Sequence, residues 1–392
     1  MRTIAAIALL ALVSIAISGC STTPNFTKQY NSLDLALLPC EQGDAPTFFR
    51  PIEFDSRGEL LFPEQLAEVN RRLAAPLDDA ADPPIGDLVI FIHGWNKNPS
   101  SAEEDYDDFL CRLHARLQIT IGKYKRNQGL MIVGIFWPST LTAEDRDPLL
   151  IKPVSYFPMR ERADTIAGKG LAPLFESWIP IFQKLAVEQK APRLQLIGHS
   201  FGARMLVRTM ETLEHRGKDE LNDLLQSAQL VDVVLLNAAL APARFDWLTK
   251  AVLRAEAAKK KARFVDTNSY LFNVHSYEDQ ANRTLFPIAS MFDDDPVQCA
   301  AGACGVPSYP TLCVNHRGHI ERPPDAYFDP DTPRLKAWNV DATRVVSGHG
   351  DIYKGRIATL VATLMYDEDK KSKFAAWGIA NRPSEQRCDW AT

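Results

Sequence analysis

From Gly86 onward the chain alternates short apolar runs with longer amphipathic stretches, and no other feature of the sequence restricts the fold as much. The runs cover 88–92, 130–137, 194–197, 230–236 and 270–274 and are rich in Val, Ile and Leu. Continuous apolar runs of this length suit strands buried on both faces, which is the condition of a parallel sheet covered by helices. Between and after them lie helical candidates at 101–117, about 159–189, 201–215, 246–262 and 352–366. The expected class is therefore α/β, with a mostly parallel central sheet flanked by helices. Residues 20–84 have another character. Pro39, Pro46, Pro51, Pro63, Pro76, Pro83 and Pro84 cut them into short pieces, so they are expected to form a tether and excursion with helix only over 63–73.

Composition narrows the function classes. With 392 residues, 46% hydrophobic, 24% charged and a formal net charge of −5, the chain is neither collagen-like nor disordered nor a multi-span membrane protein. No basic stripe with interleaved aromatics is present, so nucleic acid is not an expected partner. Charge also marks helix ends. Ser101 precedes Glu104 at capping-box spacing, and Glu103, Glu104, Asp105, Asp107 and Asp108 would lie at the positive end of that helix. The run Lys259, Lys260, Lys261 and Arg263 falls late in another, where it complements the negative end.

The first residues are expected to be a processing signal. Arg2 precedes an apolar stretch over 4–17, which ends in Ile17-Ser18-Gly19-Cys20. The stretch is short for a membrane span. It resembles the bacterial lipoprotein signal, and the resemblance implies removal of residues 1–19, acylation of Cys20 and a membrane held through that lipid. Ser21 in place of Asp implies the outer membrane of a bacterial cell envelope. Of the seven cysteines, six would then remain: Cys40, Cys111, Cys299, Cys304, Cys313 and Cys388. An even number in an oxidising compartment is expected to form disulfides, with pairing left open. Cys299, Cys304, Cys313, His316 and His319 also form a Cys-x4-Cys-x8-Cys-x2-His-x2-His series that could hold zinc, though it fits no fixed zinc pattern.

The chemistry concentrates in Leu196-Ile197-Gly198-His199-Ser200-Phe201-Gly202-Ala203-Arg204, where a buried run meets Gly-x-Ser-x-Gly and then a helix. In that context the serine sits on a sharp strand-to-helix turn, with its hydroxyl lifted into a cleft. Gly198 and Gly202 leave room where side chains would strike the neighbouring strand and helix. The Phe201 N–H, at the start of the helix, faces a developing oxyanion. A second motif, His93-Gly94-Trp95-Asn96, ends the first apolar run.

With both motifs the chain resembles the α/β-hydrolase superfamily of serine esterases and lipases, over about residues 86–366. The resemblance implies a hydrolase domain over 85–392 with a cysteine-rich insertion at about 296–335. It also implies a second oxyanion donor at or next to Trp95, with His93 holding the loop, and an acid and a histidine following Ser200 in that order. Asp279 is the favoured acid, with Glu278 one residue away and Asp246 in the preceding loop as alternatives. His349, between Gly348 and Gly350 after the apolar pair Val345-Val346, is the favoured base over His316 and His319. Asp351 is expected to cap the following helix, and His275 to be a core or edge residue of its strand. The region 140–180, with Trp137, Tyr156, Phe157, Phe175 and Trp178 in or beside it, is expected to supply either a lid and acyl pocket or ordinary core.

The expected activity is hydrolysis of carboxylic esters, small-molecule or lipid, through an acyl-enzyme and without a metal or organic cofactor. The alternative is an envelope-anchored binding or scaffold protein on an inactive hydrolase fold.

Overall fold

The computed structural model of the chain describes residues 47–75, 84–97, 109–117, 129–140, 152–216, 219–261, 269–290, 298–321, 326–328, 336–367, 377–379 and 388. The signal segment, Cys20, Cys40, the Ser101 cap with its acidic cluster and Arg263 lie outside the described residues. The strands are β1 (Thr47–Glu53), β2 (Ile85–Ile92), β3 (Gly129–Phe136), β4 (Arg193–His199), β5 (Val231–Leu236), β6 (Leu271–His275), β7 (Thr311–Val314), β8 (Ile320–Glu321), β9 (Ala326–Phe328), β10 (Ala337–Asp341) and β11 (Trp377–Ile379). Nine of them form one sheet in the order β1-β3-β2-β4-β5-β6-β10-β7-β8, and β9 pairs with β11 separately. Every pairing in the large sheet is parallel except β7 with β8. The protein is thus an α/β fold with a mostly parallel sheet.

The five apolar runs are β2 to β6, and their burial explains their composition. In β2, Leu88, Ile90 and Ile92 enter one core, while Val89 and Phe91 enter the other. Successive side chains of a strand point to opposite faces, so a strand covered on both sides is mostly apolar along its whole length. Burying each such side chain contributes about 1.5–3 kcal/mol. The first core is closed by the helices Pro63–Leu73, Lys152–Ile166, Ala172–Val187, Phe201–His215, Glu220–Ser227 and Pro242–Lys261. The second is closed by helical residues 109–117 and the helix Gly355–Tyr366.

Connectivity fixes where a site can form. From β2 the chain places β3 on one side, then crosses to β4 on the other and continues outward through β5, β6 and β10. The order reverses between β2 and β4. In open α/β sheets the crevice beyond the carboxyl ends of strands at such a reversal is where ligands bind. The two glycine-bearing motifs leave β2 and β4 at that point.

Several elements differ from the sequence expectation. The excursion contributes β1 to the sheet edge, parallel to β3. Pro51 lies within it, and an edge strand tolerates the missing N–H. The cysteine-rich segment likewise adds β7 and β8 to the opposite edge. β10 was hidden because it carries buried polar side chains, Asn339 and Asp341. Asn339 donates to the carbonyls of Val306 and Tyr309 and accepts from the Val306 N–H, all at 2.8 Å. The apolar pair Val345-Val346 belongs instead to the turn after that strand. The helix expected over 159–189 begins at Lys152 and is interrupted by a π-helical turn, Ala167–Leu171.

Disulfides join Cys299 to Cys304 and Cys313 to Cys388, and Cys111 is disulfide-bonded too. These bonds consume the three thiols of the zinc alternative, which is thereby overturned. Among the described residues no group of three or more His, Cys, Asp or Glu could hold a metal ion, and no helix is long and apolar enough to cross a membrane.

Candidate active site

Ser200 stands between the last residue of β4 and the first of the helix Phe201–His215, with φ 54° and ψ −116°. A non-glycine residue held there stores strain of about 1–3 kcal/mol, and such strain persists only where surroundings fix it. Three backbone bonds do so. The Ser200 N–H donates to the Leu236 carbonyl at 3.0 Å, and its own carbonyl accepts from Arg204 and Ala239 at 3.2 Å. Packing explains the glycines. A Cβ on Gly202 would lie 2.1 Å from the Ile92 carbonyl oxygen, and one on Gly198 2.6 Å from the Ala203 Cα.

The structure brings Asp279 and His349 to this serine. The His349 Nε2 accepts from the Ser200 Oγ at 2.7 Å. On the other side of the ring, Nδ1–H donates to the Asp279 carboxylate, 2.8 Å from Oδ2 and 3.0 Å from Oδ1. A carboxylate only accepts, so Nδ1 carries the proton and Nε2 is free to accept one. Asp279 is wholly buried, whereas the His349 side chain is 23% exposed. Asp279 follows β6, and His349 follows β10. The two loops are tied together, since Ser276 Oγ donates to the Val346 carbonyl at 2.6 Å and the Tyr277 N–H to Thr343 Oγ1 at 3.0 Å.

The other candidate acids lie elsewhere. Glu278 is exposed. Asp246 accepts from Tyr309 Oη at 2.9 Å and pairs with Lys250 at 2.6 Å, and chiefly through the lysine its carboxyl lies below the usual range. His316 and His319 are exposed at the turn between β7 and β8. His275 is buried at the end of β6, and burial lowers its pKa, so it stays neutral. Asp351 does not cap the helix that follows, whose cap position is Lys354. Its carboxylate instead accepts from the Ser347 N–H at 3.0 Å and from the Ser347 hydroxyl, and pairs with Lys354 at 2.8 Å, which pins the loop beside His349.

The loop after β2 closes over the serine. A Cβ on Gly94 would lie 2.9 Å from the Ser200 Cβ and 2.7 Å from the His199 Nδ1, so only glycine fits. His93 shapes this loop. Its Nδ1–H donates to the Gly94 carbonyl at 2.8 Å, its Nε2 accepts from the Trp137 N–H at 3.3 Å, and its ring stacks on the Trp137 indole. Full burial lowers its pKa to about 3, so it is a neutral scaffold residue. The Phe201 N–H, at the first position of its helix, has no intrahelical acceptor. Trp95 packs against Phe201 with ring centroids 6.0 Å apart.

The aromatics in and around 140–180 divide between two tasks. Phe175 and Trp178 are fully buried core, 5.1 Å apart. Tyr156 stands at the site, 5.1 Å from the Phe201 ring and 5.8 Å from Trp95. Its helix is fixed to the one behind Ser200 by Arg204, whose Nε and Nη2 reach both oxygens of Asp164 at 2.8 and 2.7 Å.

Sequence reasoning missed four residues that build this site: His199, Asn237, Asn282 and Tyr353. His199 Nε2–H donates to the His349 carbonyl at 3.0 Å, and its Nδ1 accepts from the Tyr353 hydroxyl at 3.1 Å. Burial first, then the neighbouring His349, lowers its pKa well below the ordinary value. Its signal was its place inside Gly-x-Ser-x-Gly. Asn282 binds the Asp279 carboxylate, and its signal was a spacing of three residues, common for an Asp side chain that accepts from a nearby backbone N–H. Asn237 has φ 45°, a backbone region in which Asn is several-fold enriched. Tyr353 had no local signal.

Compared with known proteins, the chain matches no protein-family model and no curated protein.

Proposed function

We propose that the protein is a serine hydrolase of the α/β-hydrolase type that cleaves carboxylic esters through an acyl-enzyme. The observation that carries this reading is the unbroken line of hydrogen bonds from Ser200 Oγ through His349 to Asp279. In this reading Ser200 Oγ attacks the ester carbonyl carbon as His349 Nε2 takes its proton. Asp279 orients the ring and stabilises the imidazolium. The N–H groups of Phe201 and Trp95 receive the oxyanion, the former aided by the positive end of its helix. Collapse of the tetrahedral intermediate breaks the bond to the alcohol oxygen, which leaves with the proton from His349. Water, deprotonated by the same nitrogen, then attacks the acyl-enzyme and frees the acid and Ser200.

Trp95, Tyr156 and Phe201, the residue that follows Ser200, pack as an aromatic group, an apolar setting that suits the acyl part of a small-molecule or lipid ester. The Cys20 signal favours a mature protein anchored by lipid to the bacterial envelope, at the outer membrane. A panel of p-nitrophenyl esters of graded acyl length, run beside phospholipids, tests the activity. Turnover by the native chain and none by Ser200→Ala supports the reading. Equal turnover by both removes it.

A further inference from the structure

We propose that Asn282, backed by Asn237, is a positioning residue for the acid and base of the site; this rests on the reading of Ser200, His349 and Asp279 as a triad. The Asp279 carboxylate is completely buried, and a buried anion needs donors on both oxygens. Beyond His349, Asn282 supplies them. Its backbone N–H reaches Oδ1 at 3.1 Å, and its Nδ2 reaches Oδ2 at 2.9 Å. Two donors from one residue fix the plane of the carboxylate as well as its place, so the imidazole meets it in one orientation.

The Asn282 amide is itself held. Its Nδ2 also donates to the Asn237 carbonyl at 2.6 Å, and the Asn282 carbonyl accepts from the Ala300 N–H at 3.5 Å. Asn237 directly follows β5, its N–H bonded to the Val274 carbonyl at 2.9 Å. Its side-chain Nδ2 points to the His349 carbonyl at 3.4 Å. One residue therefore touches both the main chain of the base and the amide that holds the acid. Its Oδ1 is buried with no hydrogen-bond partner among the described residues, so the donor end of the amide is the part that the site uses. Distances along the relay Asp279–Asn282–Asn237–His349 are thus set by a strand end of the sheet, rather than by the two loops alone.

The test uses the full chain in its native, disulfide-bonded form, with Asn282→Ala, the isosteric Asn282→Asp, and Asn237→Ala. Asn282→Ala is expected to lower kcat by about tenfold to a hundredfold, the scale on which small misplacements act, with KM nearly unchanged. Its low-field proton resonance from the His349–Asp279 hydrogen bond should shift or broaden away. Asn282→Asp keeps the volume but adds a second carboxylate, which favours the protonated imidazole. The acid limb of its kcat/KM profile should therefore move to higher pH. Asn237→Ala should show a weaker form of the Asn282→Ala defect. A merely structural role would lower thermal stability and leave kcat, the resonance and the pH limb alone; that outcome overturns the proposal. If Asn282→Ala does not fold, an unmoved limb in Asn282→Asp overturns it equally. Failure of the native chain to turn over any ester or to label at Ser200 removes the triad reading first, and is distinguishable because it precedes any variant.

Discussion

The imidazole of His199 holds the main chain of His349: its Nε2–H donates to the His349 carbonyl oxygen at 3.0 Å, while the His349 side chain accepts from Ser200, the residue next to His199 in sequence. The segment that presents the serine therefore also fixes the backbone of the histidine bonded to it. Replacing His199 with Ala removes this donor and the acceptor of the Tyr353 hydroxyl, and leaves the His349 loop free to shift. Esterase kcat should fall by about tenfold or more, with a smaller loss for His199→Gln, whose amide can still donate. Steady-state kinetics on the folded variants checks this order.

Gly94 tests the closeness of the loop to the serine. An alanine there must displace the Ser200 Cβ or the His199 ring, which lie 2.9 and 2.7 Å from the added carbon. Gly94→Ala should lose activity by about a hundredfold, while its stability falls by only about 1–3 kcal/mol, the usual cost of overpacking. Urea unfolding beside ester turnover separates the two.

The buried histidines set an acid limit to stability. His93, His199 and His275 all have pKa values lowered by burial, that of His93 to about 3. In the unfolded chain each titrates near its ordinary value, about 6.5. Between those pH values the unfolded state binds more protons than the folded one, so stability is complete above about pH 6.5 and declines as pH falls below it. Each histidine contributes a slope of up to about 1.4 kcal/mol per pH unit. Urea midpoints measured from pH 8 to pH 4 should be flat and then fall, and His275→Gln should reduce the slope.

The two fully defined disulfides should separate in their effects. The backbone of the segment closed by Cys299–Cys304 donates to the Leu240 and Ala238 carbonyls at 2.9 and 3.0 Å and accepts from the Ser276 N–H at 3.2 Å, beside Asp279 and Asn237. Cys313–Cys388 instead ties a distant residue to the sheet edge through β7. Cys299→Ser with Cys304→Ser should lower kcat severalfold. Cys313→Ser with Cys388→Ser should lower the unfolding midpoint more, because it frees a longer loop, and should leave kcat unaltered. Thermal melts and kinetics on both double variants give the comparison.

What the sequence made legible follows from which interactions are local. β2 to β6 were readable because strands covered on both faces are mostly apolar, and the few buried polar residues among them, such as Gln195, Asp232 and Asn273, do not break the runs. The serine turn was readable because strand, glycines and helix are contiguous. β10 was not, since Asn339 and Asp341 interrupt its apolar pattern and are satisfied by the remote Val306 and Cys388 as well as by the nearby Thr343. β1 escaped because Arg50 and Pro51 interrupt its pattern; the sheet edge makes Pro51 tolerable, and Glu68 pairs with the buried Arg50 at 3.2 Å. Asp351 was misread because its loop, rather than a helix end, supplies its donors. Asn237 and Asn282 act through each other across forty-five residues, a relation that no spacing rule could reveal.

The central claim is that Ser200 is a nucleophile activated by His349 and Asp279, and the most direct measurement is covalent labelling with a fluorophosphonate followed by intact-mass analysis and peptide mapping. The native chain should gain one adduct, on the peptide that carries Ser200. Ser200→Ala should gain none despite an unchanged circular dichroism spectrum, and His349→Ala should label on the order of a thousandfold more slowly or worse. A folded native chain that takes no adduct at Ser200, or a Ser200→Ala chain labelled as fast as the native one, would contradict the account.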